Sequence, residues 1–282
     1  MNNNNFNMTI FNVLKYSEQL LSHVKTPKLD AEILLSYVLK KSRVWIKLFD
    51  DFILNQQQIN IYKKLLIRRI QYEPISYIIK KKEFWSLSFM ISKHVFIPRP
   101  ETEILVQETL NRSFKNAKIL DLGTGSGIIP ISISHEIPKC NILGIDCNIR
   151  AISLAKKNSK NLNCQNVFFM YSNWFSCIQD KFDIIVSNPP YLKHQDISDI
   201  SQDLLYEPYI ALFSQNNGIS DIQYIIENAK NYLFYRGWLL IEHAYSQNKK
   251  IVNIFQKNNF CNIQSYKDYS NIVRVTLGQK LF

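Results

Sequence analysis

The sequence predicts an α/β fold: a mostly parallel seven-stranded sheet with an antiparallel C-terminal hairpin, preceded by a small helical domain. Three observations carry this prediction. From residue 117 onward, apolar runs alternate with helical patterns, as in repeated βα units whose parallel sheet is covered on both faces. The last two apolar runs have no helix between them, so they are expected to pair as an antiparallel hairpin. The first 75 residues show only helical periodicity.

Taken in order, "KLDAEILLSYVLKK" reads as a helix with Asp30 at the N-cap and Ile33, Leu34, Tyr37 and Val38 at helical spacing. "QQQINIYKKLLIRRIQ" reads as a second amphipathic helix with Ile59, Tyr62, Leu65, Leu66 and Ile70 on one side, and Pro74 ends that pattern. Alternation around Trp85, Leu87 and Phe89 predicts a β-hairpin. Pro98 and Pro100 then bracket Arg99, and a helix begins near Glu101. The expected organisation is a helical domain over 1–75, a linker with the hairpin over 76–100, and a catalytic domain over 101–282. In that last region "AKILDLG", "NILGIDC", "NVFFMYSNW", "KFDIIVSNPPY" and "GWLLIEHA" read as successive strands. "SGIIPISISHEI", "RAISLAKKNSKN", "GISDIQYIIENAKNYL" and "SQNKKIVNIFQKNN" read as helices, and "CNIQSYKD" and "IVRVTLGQKL" as the closing hairpin.

Composition bounds the function. A chain of 282 residues suits one large domain and a small one, and 46% hydrophobic with 13% aromatic residues excludes a disordered chain. The net charge of +11 favours an anionic partner, but Asn, Ile and Lys recur throughout and Lys is scattered, so compositional drift accounts for most of it. Cys140, Cys147, Cys164, Cys177 and Cys261 form no CxxC pair and no Cys/His cluster at zinc spacing. No metal is expected, and a reduced cytoplasmic compartment is. The N-terminus has no signal-peptide pattern, and no apolar run approaches a membrane span of about 20 residues.

Three stretches carry chemistry. In "DLGTGSG", Gly123, Gly125 and Gly127 let backbone approach a ligand where the first strand of the sheet meets the first helix. A tight turn would explain the glycines alone, and their G-x-G-x-G spacing differs from the G-x-G-x-x-G dinucleotide fingerprint. Asp146 ends the second strand, where a carboxylate can accept from both hydroxyls of a ribose or cap the next helix. Paired with the glycine turn, it points to a ligand with a ribose. The third stretch is "NPPY". Two prolines fix two φ angles and restrict the residues before them, so Asn188 and the Pro189 carbonyl are held stiffly at a strand end. Two acceptors aimed at one point suit a planar –NH₂ group, and Tyr191 offers a flat face beside it.

"DLGTGSG", Asp146 and "NPPY", in this order, resemble class I S-adenosylmethionine-dependent methyltransferases acting on a planar amide or amine nitrogen. "EFWSL", "IPRPETE", "SNWF", "YEPYIAL", "IEHA" and "RVTLG" further resemble the HemK family of protein-(glutamine-N5) methyltransferases of class 1 peptide chain release factors. The resemblance covers about residue 28 to the end. It departs at Asn173, where that family usually has Asp near the adenine of the cofactor, at Lys80, usually Gly, and at Glu101, usually Asp.

The resemblance implies a Rossmann-like catalytic domain and S-adenosyl-L-methionine as methyl donor, with S-adenosyl-L-homocysteine as product. It implies cofactor contacts from Gly123, Thr124, Gly125, Ser126, Gly127, Asp146, Trp174 and Asn188. It places Asn188, Pro189 and Tyr191 at the reaction, and Asn188, Pro189, Pro190 and Tyr191 against the acceptor glutamine. The implied acceptor is the Gly-Gly-Gln loop of the release factor; the helical domain is expected to dock it, and Arg99 with the prolines beside it is expected to hold the two domains at a fixed angle. A cytoplasmic monomer is expected, without stable nucleic-acid or membrane association. Two alternatives stay open on sequence: a DNA adenine-N6 methyltransferase, and a non-catalytic ribosome- or nucleic-acid-binding relic of a methyltransferase.

Overall fold

A computed structural model describes residues 8–198 and 200–281. The chain divides into two compact units, Met1–Lys80 with Ser201–Tyr206, and Lys81–Ile200 with Glu207–Phe282. A short segment beyond the NPPY motif thus belongs to the first unit.

The first unit is built from helices Ile10–Leu20, Pro27–Leu39, Arg43–Leu48, Gln56–Ile70 and Ile75–Ile79. Ile10, Leu21, Leu34, Leu35, Ile46, Tyr62 and Leu66 form its core. Helix Gln56–Ile70 opens on a capping box between Asn55 and Gln58. It buries Ile59, Tyr62 and Leu66, with Leu65 and Ile70 half-buried against the same core. It stops at Ile70, and Pro74 serves instead as the N-cap of Ile75–Ile79. Asp30 is not an N-cap. Pro27 starts the helix, since a missing N–H is harmless in the first turn, and Thr26 is the cap residue. Asp30 lies within that helix, buried, and accepts from Thr26 Oγ1 at 2.8 Å and from Arg69 Nε at 2.7 Å. Arg69, itself buried, also pairs with Asp203 Oδ2 at 3.0 Å.

The second unit begins with the hairpin β1 (Lys81–Phe84) and β2 (Leu87–Met90). Trp85 and Ser86 form its turn with φ of +52° and +55°, the left-handed backbone that a two-residue hairpin loop requires. The main sheet comprises β3 (Lys118–Leu122), β4 (Asn141–Asp146), β5 (Val167–Tyr171), β6 (Phe182–Ser187), β7 (Leu233–Glu242), β8 (Cys261–Lys267) and β9 (Val273–Gln279). Their order is β5-β4-β3-β6-β7-β9-β8. β3 to β7 run parallel, while β9 is antiparallel to both β7 and β8. β7 starts at Leu233, before the expected run from Gly237, and its register with β6 shifts between Phe182 and Ile184. One face packs through Leu120, Leu122, Ile145, Ile185, Leu239 and Ile241 against Ile222, Ile226, Ile251 and Phe255 of two covering helices.

This topology positions the chemistry. The chain winds outward from β3 through β4 to β5, then returns so that β6 lies on the other side of β3. Leu122 and Ser187 are register partners at the carboxyl ends of those two strands. The glycine turn and the NPPY motif follow them directly, at the switch point where open α/β sheets bind ligands.

Candidate active site

The glycine turn is fastened to β4. Gly123 and Thr124 both donate their N–H groups to the Ile145 carbonyl, at 2.9 and 2.8 Å. Gly125 donates its N–H to Asp146 Oδ2 at 2.9 Å, and Asn148 donates to Asp146 Oδ1 at 2.8 Å. The N-cap of the following helix is Asn148, so Asp146 ties the helix entry to the turn instead of capping the helix. Gly125 has φ of +54° and open space where a side chain would stand. Trp174 flanks Gly123, with its ring 3.7 Å from where a Cβ would be. Ser126 and Thr124 are buried; the Ser126 carbonyl accepts from Asn158 Nδ2 at 2.9 Å. Asn173 is exposed, and its N–H donates to Ser176 Oγ at 3.2 Å.

Asp121 was not among the site residues read from sequence. It is fully buried near the end of β3, and neither carboxylate oxygen has a hydrogen-bond partner within bonding distance. Burial pushes its pKa up to about 7; the nearby Thr124 hydroxyl opposes the rise and the Asp146 charge adds to it. Burial likewise raises Asp146, while the N–H groups of Asn148 and Gly125 hold it down. A buried, unpartnered acid calls for a cation. S-adenosylmethionine carries an ammonium on its methionine arm and a sulfonium joined directly to a ribose with two hydroxyls. The orphaned Asp121, the open backbone at Gly125 and the carboxylate at the end of β4 fit those features.

At the end of β6, Asn188 is half-buried and its Nδ2 donates to Thr102 Oγ1 at 3.2 Å. The amide nitrogen is thereby used inside the protein, leaving Oδ1 as the acceptor. Pro189 is buried and Pro190 half-buried. Tyr191 packs its ring against the sheet core, and its hydroxyl reaches Glu242 Oε1 at 3.5 Å. The Tyr191 carbonyl accepts from Gln247 Nε2 at 2.9 Å. Gly218 packs so closely that a Cβ there would stand 2.1 Å from the same carbonyl oxygen. The next residue, Leu192, continues the brace through backbone bonds with Leu212 and Ser214, at 2.9 and 3.0 Å. The prolines stiffen the motif locally, and these contacts fix it in space.

Two further polar groups lie behind the motif. Glu242 ends β7, is fully buried, and is pushed by burial to a pKa of about 7, with Thr102 and Tyr191 drawing it down. His243 beside it is buried and bonded to Thr276 Oγ1 at 2.7 Å; burial lowers its pKa to about 4, so it is neutral. Glu207 of "YEPYIAL" accepts from the Ile97 N–H at 2.9 Å and pairs with Arg99, so this ion pair lies inside the second unit. Among the described residues, no group of three or more His, Cys, Asp or Glu side chains could hold a metal, and no helix is long and apolar enough to cross a membrane.

A parallel sheet with a terminal antiparallel hairpin, a glycine turn after β3, an acid ending β4 and the NPPY motif after β6 define a class I S-adenosylmethionine-dependent methyltransferase fold. Residues 100–218 match the model of the methyltransferase small domain, and residues 12–79 match that of the PrmC N-terminal domain. A methyltransferase from Pyrococcus furiosus shares the fold at 14% identity and a TM-score of 0.55, covering 81% of this chain and 100% of that one. The release factor glutamine methyltransferase of Buchnera aphidicola subsp. Baizongia pistaciae is 49% identical over 97% of this chain and 100% of its own length. That of Salmonella typhimurium is 40% identical over 90% of this chain and 92% of its own. The chain belongs to the release factor glutamine methyltransferase family.

Proposed function

We propose that the protein transfers a methyl group from S-adenosyl-L-methionine to the side-chain amide N5 of the glutamine in the Gly-Gly-Gln loop of class 1 release factors, supporting translation termination. The observation that carries this reading is the Asn188 amide, whose nitrogen donates to Thr102 Oγ1 at 3.2 Å and so leaves its oxygen to accept, one residue before the Pro189 carbonyl. A primary amide nitrogen has two N–H groups in one plane, and two acceptors held by a rigid turn match them.

The bound donor supplies a methyl made electrophilic by its sulfonium. Gly123, Thr124, Gly125, Ser126, Gly127, Asp121, Asp146 and Trp174 are the residues that would hold it. The chain's other task is to orient the acceptor, whose lone pair is delocalised into its carbonyl. Asn188 Oδ1 and the Pro189 carbonyl hold the two N–H groups and favour the positive charge that develops on nitrogen. Alignment of this kind contributes about 7–11 kcal/mol to lowering a barrier. No base is required before the new bond forms, because the proton becomes acidic only as nitrogen turns cationic, and water accepts it afterwards. Pro190 and the half-buried Tyr191 shape the wall beside the amide.

The helical unit is proposed to dock the release factor, since one glutamine side chain offers little surface for recognition. The protein is proposed to act as a cytoplasmic monomer. The test is mass spectrometry of a release factor incubated with protein and donor. One added methyl on the loop glutamine is expected, with none on duplex DNA offered in its place. Asn188→Ala is expected to abolish transfer while donor affinity stays within a few-fold. Methylated DNA, or normal turnover by Asn188→Ala at saturating release factor, would overturn the reading.

A further inference from the structure

Two prolines make the NPPY turn stiff, but stiffness alone does not place it. Its first residue, Asn188, is anchored through Thr102 Oγ1 at 3.2 Å. At its far end, the Tyr191 carbonyl accepts from Gln247 Nε2 at 2.9 Å. Gln247 is a buried polar residue, 5% exposed, and it comes from another strand end. β7 lies beside β6, with Ser187 and Ile241 as register partners. Gln247 closes the turn Tyr245–Gln247 that follows β7.

The direction of the Gln247 amide is fixed at both ends. Its Oε1 accepts from the Ala244 N–H at 3.0 Å, and a backbone N–H can only donate. Nε2 carries two hydrogens, and two carbonyls take them, Tyr191 at 2.9 Å and Gly218 at 3.1 Å, with the Asn217 carbonyl further off at 3.5 Å. Asn216, Asn217 and Gly218 have φ of +54°, +60° and +77°, three left-handed residues in succession. Such backbone is sparsely populated outside glycine and persists where its surroundings hold it. Gly218 has no Cβ, so its backbone can lie against the Tyr191 carbonyl. One side-chain amide thus gathers the end of the NPPY turn and a left-handed turn onto the end of β7.

We propose that Gln247 is a positioning residue for methyl transfer: by clamping the Tyr191 carbonyl it fixes where the Asn188 oxygen and the Pro189 carbonyl point. The proposal rests on the acceptor role assigned to those two groups above. The chain between the Pro189 and Tyr191 carbonyls has little slack, because Pro190 fixes its own φ and restricts the residue before it. Movement at the clamped carbonyl therefore reaches the acceptor end of the turn. A misplacement of about 1 Å at reacting groups costs on the order of a hundredfold in rate.

The test compares wild type with Gln247→Glu and Gln247→Met, using release factor and saturating donor. An ionised glutamate keeps the shape and the acceptor for Ala244, but aims an oxygen at carbonyl oxygens. Methionine keeps the length and offers no donor. Both are expected to lower kcat on the order of ten- to a hundredfold. The glutamate variant, the closer match in shape, should be the worse of the two. Donor Kd and the KM for release factor should stay within about threefold of wild type, as for an interaction that acts on the reaction step. A role in packing alone reverses the order of the variants. Gln247→Met, which buries no charge, decides the matter if the glutamate variant fails to fold. Near-normal kcat in Gln247→Met, a milder loss in a folded Gln247→Glu, or a parallel fall in donor binding would overturn the clamp.

Hydrogen exchange of the whole chain reads the clamp without a substrate. The Leu192 N–H donates to the Leu212 carbonyl at 2.9 Å and the Ser214 N–H to the Leu192 carbonyl at 3.0 Å, just past the clamped group. In Gln247→Met these two amides should exchange on the order of tenfold faster, while the amides of β6 and β7 hold. Unchanged protection at both refutes the clamp even if no release factor is methylated, while inactivity of the wild type alone refutes only the acceptor reading.

Discussion

Gly125 donates its backbone N–H to the Asp146 carboxylate at 2.9 Å, so the turn after β3 is fastened to the end of β4. The same carboxylate accepts from the Asn148 N–H at 2.8 Å. Each oxygen has spent one lone pair on the backbone and keeps another for a ligand. The acid therefore shapes the glycine turn and keeps acceptor capacity for a ligand at once.

Asp146→Ala should weaken S-adenosylmethionine binding about ten- to a hundredfold, since a charge-assisted hydrogen bond contributes roughly 1.5–3 kcal/mol. Asp146→Asn, which keeps one oxygen acceptor, should lose less. Calorimetric titration of the donor measures both. An unchanged affinity in Asp146→Ala would leave the acid with a purely structural role.

Gly218→Ala should disable catalysis although Gly218 lies outside the motif. Its φ is +77°, and a Cβ would stand 2.1 Å from the Tyr191 carbonyl oxygen and 2.8 Å from Gln247 Nε2. Backbone must move, and the backbone in the way is that of the NPPY turn. The strained position itself costs about 1–3 kcal/mol. We expect a lower Tm together with a fall in kcat on the order of a hundredfold, and a donor Kd changed much less. A variant with normal kcat would show that the turn tolerates displacement.

Arg69→Ala should unfold the helical unit most readily of the single substitutions on helix Gln56–Ile70. Arg69 and Asp30 are both buried, and Asp203 completes the group at 3.0 Å. Removing one partner of a buried pair leaves an uncompensated charge and costs about 3–5 kcal/mol. Asp30→Asn with Arg69→Met removes both charges and should recover much of the loss. Denaturant melts followed by far-UV circular dichroism distinguish the outcomes; a single-variant loss below about 1 kcal/mol, the scale of an exposed pair, would contradict the assignment.

What the sequence made legible was whatever depends on neighbours along the chain. The glycine turn, the acid after the second strand of the sheet and the prolines after the fourth announce themselves within a few residues, and the βα alternation orders them. Asp30 misled because its position resembles a cap, while Pro27 starts the helix earlier. Its true partner, Arg69, lies 39 residues away and reads as an ordinary basic helix end. Thr102, Glu242, Gln247 and Gly218 converge on the NPPY turn only after the sheet closes. Nothing local marks Glu242 as buried, since β7 simply ends there. Asp121 had a signal: an acid inside an otherwise apolar strand, immediately before the glycine turn.

Asp121 supplies the last prediction, a pH dependence of cofactor binding. In the free protein burial raises its pKa from 3.8 to about 7, and the Asp146 charge adds to the rise. A carboxyl raised on folding stabilises the fold at low pH, and that contribution is lost as pH climbs from about 4 to about 7. Asp121→Asn should therefore make the free protein more stable at pH 8 and change little at about pH 4. A cation beside Asp121 acts in the opposite sense, because it favours the charged form and lowers the pKa. Below about pH 7, binding must then expel the Asp121 proton, so donor affinity should fall by up to about tenfold per pH unit as pH drops from 7 toward 5.5. The donor's own ammonium stays charged across that window, since an α-amino group titrates near 8. Calorimetry in two buffers of different ionisation enthalpy should register a released proton at pH 6 in the wild type and none in Asp121→Asn. The variant should also bind more weakly at pH 7.5, where the wild-type acid is ready to pair. Equal proton release by both proteins would move the cation away from Asp121 and leave its buried carboxyl without a ligand.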